Sequence, residues 1–446
     1  MACEWHSAPL GELISYIGKG VVPKYIDDGP DATMVLGQKC VRNQALQYEQ
    51  ARFHNSAEKA VNPDKEVRRG DILINATGVG SAGRVAQVMA DPSRQCITDG
   101  HVITLRAKDV NPFYLGYFVK SKQNAIELMA EGSTGQTEMN RQRLQSEIIV
   151  TFPESKDLQK RIAEYGLAID KKIAVNSQLN DYLLELATVR FEQELAKESK
   201  TYRFSELVEL EDSKRVPLNS RDRKVRKGSY PYYGATSIMD YVDDYLFDGV
   251  RVLLGEDGTV VREDGKPVLQ YVWGKYWVNN HAHILKSKAD YSLESIYIAL
   301  ARTTINHIIT GAVQMKISQK NLNDLELEMP TASSLDYLED IFALYRSNAE
   351  ESKKLEILRN ALLPKLMSGE IDVSKVGLMQ PANNHLPAYM HNVPIPYRKE
   401  QRWRLPSTMC WHRCRAYSTR RNSNIWPKYS ESRYCRHSMY QRHETS

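Results

Sequence analysis

The sequence predicts a mixed α/β chain: two tandem α/β domains separated by two long helices that pack as an antiparallel coiled coil. Three observations predict it. The text repeats at a nearly constant offset, each copy runs into a stretch of helical periodicity, and 446 residues is length enough for two or three domains. Shifted by 180, GDILINATG (70–78) falls on VRVLLGEDG (250–258), and TDGHVITL (98–105) falls on VNNHAHIL (278–285), which superposes His101 on His281. Shifted by 178, GSTGQTEMNRQRL (132–144) meets TGAVQMKISQKNL (310–322), pairing Gln136 with Gln314, Asn140 with Ser318 and Leu144 with Leu322. Upstream, LGEL (10–13) resembles FSEL (204–207), and Val22-Pro23 answers Val216-Pro217. A repeat of roughly 150 residues is far too long for a solenoid, so it marks a duplicated domain.

Taken in order, residues 1–154 form the first domain. Its apolar run Ile72, Leu73, Ile74 reads as a strand, and Arg84 to Val88 alternates as a second strand that stops before Pro92. Asn111-Pro112 reads as a helix start, Asn capping and Pro in the first turn, with Tyr291-Ser292 as its counterpart. Residues 155–199 form the first spacer helix, with apolar positions at Ile162, Tyr165, Ile169, Leu179, Tyr182 and Leu186. Residues 200–332 repeat the domain. Residues 333–370 repeat the helix, where Leu338, Ile341, Tyr345, Leu355, Leu358 and Leu362 match the first set at an offset of 176. Two such stripes can bury each other, and the polar residues between them (Lys172, Asn176, Asn348, Ser352) would fix the register. A helix of some 40 residues is roughly 60 Å long, which makes it a spacer. Residues 377–446 change character and form an atypical basic tail that is expected to be disordered.

The net charge of +5 suggests nucleic acid until it is divided along the chain. Twelve of the 60 bases but three of the 55 acids lie beyond residue 379, so the rest is slightly acidic and any case for DNA must rest on local patches. Six scattered cysteines suggest neither a disulfide framework nor a zinc ribbon. No apolar run is long enough for a membrane span and the N-terminus lacks a signal-peptide pattern, so the expected location is the cytoplasm.

Two motifs invite an enzymatic reading. Gly78, Gly80 and Gly83 spell G-x-G-x-x-G after a strand, with Asp99 where a ribose-binding acid would stand. A dinucleotide site needs a helix opening at those glycines, whereas a strand follows here and the second copy keeps only Gly258, so the stretch reads as a turn between strands. Asn111-Pro112-Phe113-Tyr114 is one residue away from the Asn-Pro-Pro-Tyr of amino-methyltransferases, but no convincing cofactor loop accompanies it. His101 and His281 lack the companions of a zinc site and read as partly buried polar residues at a strand edge. No catalytic residue and no metal ligand is assigned.

What remains are polar, basic and aromatic loops that recur on the duplicated scaffold. In the first copy Asn75, Thr77 and Arg84 share a turn, and Thr134, Gln136, Asn140 and Arg141 follow Gly132. In the second, Arg223 and Lys224 lead into Tyr232, Tyr233 and Thr236, while Gln314, Lys316 and Ser318 repeat the polar loop. Arg and Lys can hold phosphates or pair with guanine, and Asn or Gln can address adenine, so these residues are the candidate DNA contacts.

Together, INATGVGSAGRV, DGHVITLR, GSTGQTEMNRQRL, YPYYGATSIMDYVDDYLFDG and LRNALLPKLMSGEI resemble, in order and over about residues 5–376, the specificity subunit of type I restriction-modification enzymes. The resemblance implies a non-catalytic subunit with two target recognition domains, each reading one half of a bipartite, asymmetric site on double-stranded DNA. The helices would set the gap and dock two methyltransferase subunits, and through them the restriction subunits. It places no cofactor in this chain; S-adenosylmethionine, ATP and Mg are expected on the partners. The two domains also differ as an asymmetric target requires, since Asp264 stands opposite Arg84 at offset 180.

Two rivals remain: a stand-alone DNA-binding regulator, and a DNA adenine methyltransferase carrying its own target domains. The tail departs from the family pattern. Its Cys410, His412, Cys414, Cys435 and His437 fit no trusted zinc spacing, a basic DNA-touching arm is an alternative, and the preferred reading is sequence foreign to the family, such as an out-of-frame extension.

Overall fold

In the computed structural model, which describes residues 4–30, 32–131, 138–288, 290–311 and 314–372, the repetition in the text is a repetition of strand pairing. In the first domain Ile14–Lys19, Val102–Ala107, Ile72–Asn75 and Val85–Gln87 form an antiparallel sheet in that order. In the second the order is Val208–Leu210, Ala282–Ser287, Arg251–Gly255, Leu269–Val272. The register is conserved to the residue: Val102 faces Asn75 and Leu105 faces Ile72 in one copy, Ala282 faces Gly255 and Leu285 faces Val252 in the other. A one-residue slip would turn every core side chain to the wrong face, so the shared apolar pattern fixes a shared register.

A second four-stranded sheet repeats as well, with one parallel pairing in each copy: Cys96–Thr98 on Ala32–Leu36, and the end of Lys227–Tyr233 on Lys275–Val278. The N-terminal strand of each domain, Trp5–Pro9 or Ser199–Arg203, pairs antiparallel with the strand that feeds the next long helix, Ile149–Pro153 or Glu326–Pro330. Asn111 caps the helix Pro112–Ser121 by accepting from the amides of Phe113 and Tyr114, and Ser292 does the same for Leu293–Arg302 through the amide of Ser295.

The glycine motif is a turn. Gly78, Gly80 and Gly83 all take positive φ between two antiparallel strands, and a Cβ on Gly83 would stand 2.5 Å from the Cα of Glu127. Asp99 accepts the amide of His101 at 2.9 Å, as a turn residue does.

The long helices run Lys156–Lys197 and Tyr337–Met367. They are antiparallel: Asp170 meets Arg359, Lys172 meets Glu351, and Asn180 donates to the carbonyl of Tyr345. Asn176, fully buried, donates to Glu351 at 2.8 Å, and Asn348 donates to Asn180 at 2.9 Å, so the polar centre does hold the register. The apolar stripe behaves differently from expectation. Leu179, Tyr182, Leu186 and Leu358 are 43–56% exposed, because burial is concentrated at the ends of the helices instead of along one seam. Ile162 and Ala163 of the first helix join Leu363, Leu366 and Met367 of the second in the core of the first domain. Ala187 and Phe191 join Leu338, Ile341 and Phe342 in the core of the other. Each core thus holds one end of each helix, and at ~1.5–3 kcal/mol per buried large side chain these anchors tie the domains to one rod. Gly166 lies inside the first helix where the ring of Tyr117 crosses it, 2.6 Å from an added Cβ.

Candidate nucleic-acid interface

Three segments converge at one edge of each domain, held by main-chain hydrogen bonds that repeat. The amide of Ala76 donates to the carbonyl of His101 at 2.7 Å, and that of Met139 to Ala76 at 2.7 Å. In the second copy Glu256 donates to His281 at 2.8 Å, and Ile317 to Glu256 at 2.9 Å. Isolated bridges complete the pattern, Thr77 with Glu138 and Asp257 with Lys316. Each rim therefore consists of the end of a central strand, the turn before its neighbour, and a short strand leading into a capped helix.

The side chains on these equivalent frames differ. In the first rim Thr77 Oγ1 lies 2.9 Å from His101 Nδ1, Gln38 Nε2 donates to Thr77 Oγ1 at 2.5 Å, and Lys19 is paired with Glu138. In the second, His281 Nδ1 lies 2.5 Å from Asp257 Oδ1, and Lys316 lies 3.4 Å from Glu256. Beneath it Asp212, Glu256 and His283 come together as a metal site would. Their lone pairs are already taken: Arg215 reaches Glu256 at 2.6 Å, while His283, Gln319 and the amide of Ile284 all meet Asp212. Burial alone would raise the Asp212 carboxyl, but these hydrogen bonds outweigh it and hold it below its ordinary range.

Of the residues singled out from sequence, the first rim assembles Thr77, Asn140 and Arg141. Asn140 caps its helix through the amides of Gln142 and Arg143, and Arg141 is exposed. The second assembles Gln314, Lys316 and Ser318; Gln314 and Lys316 are exposed, and Ser318 caps its helix. Exposed Thr236 lies on the turn after Tyr233, next to Ala235, whose carbonyl comes close to Gly255 at the strand end. Arg84 is half-buried and donates back to the carbonyl of Gly80. Thr134 and Gln136 lie outside the described residues, as does the tail 377–446.

Two residues are corrected by burial. Asn75 is fully buried and donates to the carbonyl of Gln38 from inside the first sheet. Tyr232 is 1% exposed in the centre of its sheet, packed on Val242 and Trp277, because YPYY is a core strand and not a loop. Tyr233 next to it is half-buried, its hydroxyl pushed up to about 12 by burial. The basic run is partly neutralised: Arg223 and Lys227 meet Asp240, and Arg226 meets Asp243 while lying over Trp277. Arg221 and Lys224 remain exposed on a short helix.

His101 and His281 each stand directly before a strand, as their spacing predicts. His101 is exposed and the His281 side chain is 43% exposed, at the same place in both rims. The signal was present in their superposition at offset 180. What sequence could not show was that the residue two positions after each strand end, Thr77 or Asp257, meets the ring.

The sequence model of the type I restriction modification DNA specificity domain matches residues 4–185 and 196–356. A relative from Haemophilus influenzae, named as a putative type I restriction enzyme specificity subunit, is 30% identical over 128 residues, 29% of this chain and 32% of that protein. The match thus spans about a third of the curated relative. The chain is also similar to a type I restriction-modification S subunit from M. genitalium, at 16% identity and a TM-score of 0.45 over 82% of this chain and 96% of that one. Against the HsdS subunit from Thermoanaerobacter tengcongensis the figures are 14%, 0.33, 82% and 97%. With its model matched twice over most of the described residues, the chain belongs to the type I restriction modification DNA specificity family.

Proposed function

We propose that this chain is the DNA-reading, non-catalytic subunit of a type I restriction-modification complex, with each domain reading one half of a bipartite, asymmetric site on double-stranded DNA. The domains are residues 1–154 and 200–332, and 155–199 and 333–370 are the spacers that set the gap. The observation that carries this reading is a single rim geometry built twice, with different side chains, on a pair of helices anchored in both cores. Two weak half-site readers on one rod bind more tightly together than apart, since the second contact forms at high effective concentration. The candidate DNA contacts are Thr77, Arg84, Thr134, Gln136, Asn140 and Arg141 in one half, and Lys224, Thr236, Gln314, Lys316 and Ser318 in the other. Arg223 and Tyr233 support the second reader from beneath.

Methyltransferase subunits, two per chain, dock on the helices and bring S-adenosylmethionine; restriction subunits join through them with ATP and Mg. Exposed Leu179, Tyr182 and Leu186, with Leu344, Ile357 and Leu358 on the other helix, give such partners apolar surface to cover. The test is co-expression with and without the neighbouring methyltransferase, followed by single-molecule sequencing of adenine methylation. A split motif, methylated only when both chains are present, is expected. Methylation by this chain alone would establish an enzyme instead, and sequence-specific binding that needs no partner, without methylation, would establish a regulator.

A further inference from the structure

We infer that His101 and His281 are specificity-determining residues of the two half-site readers, and that they present opposite hydrogen-bonding faces to DNA. The inference rests on the DNA-reading function proposed above and names residues within it. The two rings stand at the same point of the duplicated frame: each backbone amide donates to the residue two before it (Asp99 at 2.9 Å, Asn279 at 2.8 Å), and each backbone carbonyl accepts from the strand end. Both rings reach solvent at the rim.

What differs is the group behind each Nδ1. Asp257 can only accept, so its contact at 2.5 Å requires the proton on Nδ1 of His281 and turns the Nε2 lone pair of the neutral ring outward. Behind His101 stands a hydroxyl whose own acceptor side is engaged. The Gln38 amide must point its nitrogen at Thr77, because it lies 2.5 Å from the Thr77 carbonyl, and the same nitrogen donates to Thr77 Oγ1. With one Oγ1 lone pair held by Gln38, we assign the Thr77 hydroxyl proton to His101 Nδ1 at 2.9 Å, the arrangement in which the ring proton stands on Nε2, facing out. Domain one thus offers a donor and domain two an acceptor.

In the major groove a donor selects an acceptor edge, N7 or O6 of guanine, N7 of adenine or O4 of thymine. An acceptor selects an exocyclic amine, N6 of adenine or N4 of cytosine. One scaffold with a different group behind the histidine, Thr77 held by Gln38 or Asp257, therefore reads complementary chemistry in the two half-sites.

The experiment maps methylation motifs of the full chain co-expressed with its methyltransferase, for the wild type and for His101→Ala, His281→Ala and Asp257→Asn. Losing one base contact is expected to lower discrimination roughly tenfold, at one position of the first half-site for His101→Ala and of the second for His281→Ala. Asp257→Asn is the sharper variant, because its amide can donate to Nδ1 and turn Nε2–H outward. It should admit guanine or thymine where the wild type requires adenine or cytosine. If a variant complex assembles without methylating, the same positions are read by selecting bound duplexes from a randomised pool. A wild-type split motif left unchanged by all three variants, in either readout, overturns this inference while leaving the proposed function standing. No split motif from the wild type overturns both.

Discussion

The N-terminal and C-terminal domains pair their central strands residue for residue, yet they hold their buried charge differently. In the first, Asp71 is clasped by Arg106 through two contacts of 2.9 and 2.8 Å, and Asp99 is raised above its ordinary range by burial, with Arg52 only 3.9 Å away. In the second, Asp212 is held low by His283 and Gln319, inside a cluster that also ties in Arg215 and Glu256. A duplicated framework therefore leaves its polar interior and its rim free to diverge. That is what a pair of readers with unlike half-sites requires.

The largest expected effect tests whether these clusters are independent. Asp212→Ala strands the buried His283 and should cost about 3–5 kcal/mol, and Asp71→Ala, which strands Arg106, should cost a similar amount. Hydrogen exchange should show each loss confined to its own domain; a loss spread evenly over both would mean that the domains fold as one unit. Next comes Leu366→Ala, expected to cost about 2–4 kcal/mol. Protection should fall in the N-terminal domain, although the residue lies more than 200 positions downstream of that core's strands, and a loss in the C-terminal domain instead would contradict the anchoring described here.

Gly166→Ala should destabilise by about 1–3 kcal/mol, because the new methyl meets the buried ring of Tyr117. Unfolding of the variant in urea checks the sign, since in an open helix the same change would stabilise.

Acid should separate the domains more gently. The Asp212 contribution is complete above 3.8 and is lost as pH falls through its lowered folded value, whereas protonating Asp99 relieves a buried charge and favours folding. Amide exchange compared at pH 5 and 3 should therefore lose protection first in the C-terminal domain. Lys120, pushed down to about 8 by burial despite Asp170 nearby, acts at the other end of the scale. Between about pH 8 and its ordinary 10.5 the unfolded chain holds a proton that the folded chain has released, so this group's contribution to stability rises with pH there. The smallest effect is expected from Lys224→Ala, which should lower the salt slope of DNA binding by about one without changing the sequence bound.

Much of this was legible in the text because it depended on local pattern. The capped helix at Asn111 and the glycine turn follow from spacing within a few positions, and the duplication and the polar register residues of the helices follow from matching the text against itself at a nearly constant offset. Reading Tyr232 as a loop residue failed because Tyr, Pro and Gly suit turns, yet here they build a central strand whose neighbour, Lys275–Val278, lies more than 40 residues away. Asn75 failed for the same reason, since only the packed sheet shows which polar strand residue faces inward.

By itself the sequence determined that one domain is used twice, that each copy feeds a long helix, and which residues of the two copies correspond, because periodicity and offset are properties of the chain. Only the tertiary structure decided where the helical apolar residues are buried, which bases are already paired, and which group stands behind each rim histidine. Those depend on contacts between segments far apart in sequence, where a hydroxyl 2.9 Å away or a carboxylate 2.5 Å away sets a proton's position and nothing in the local text records it.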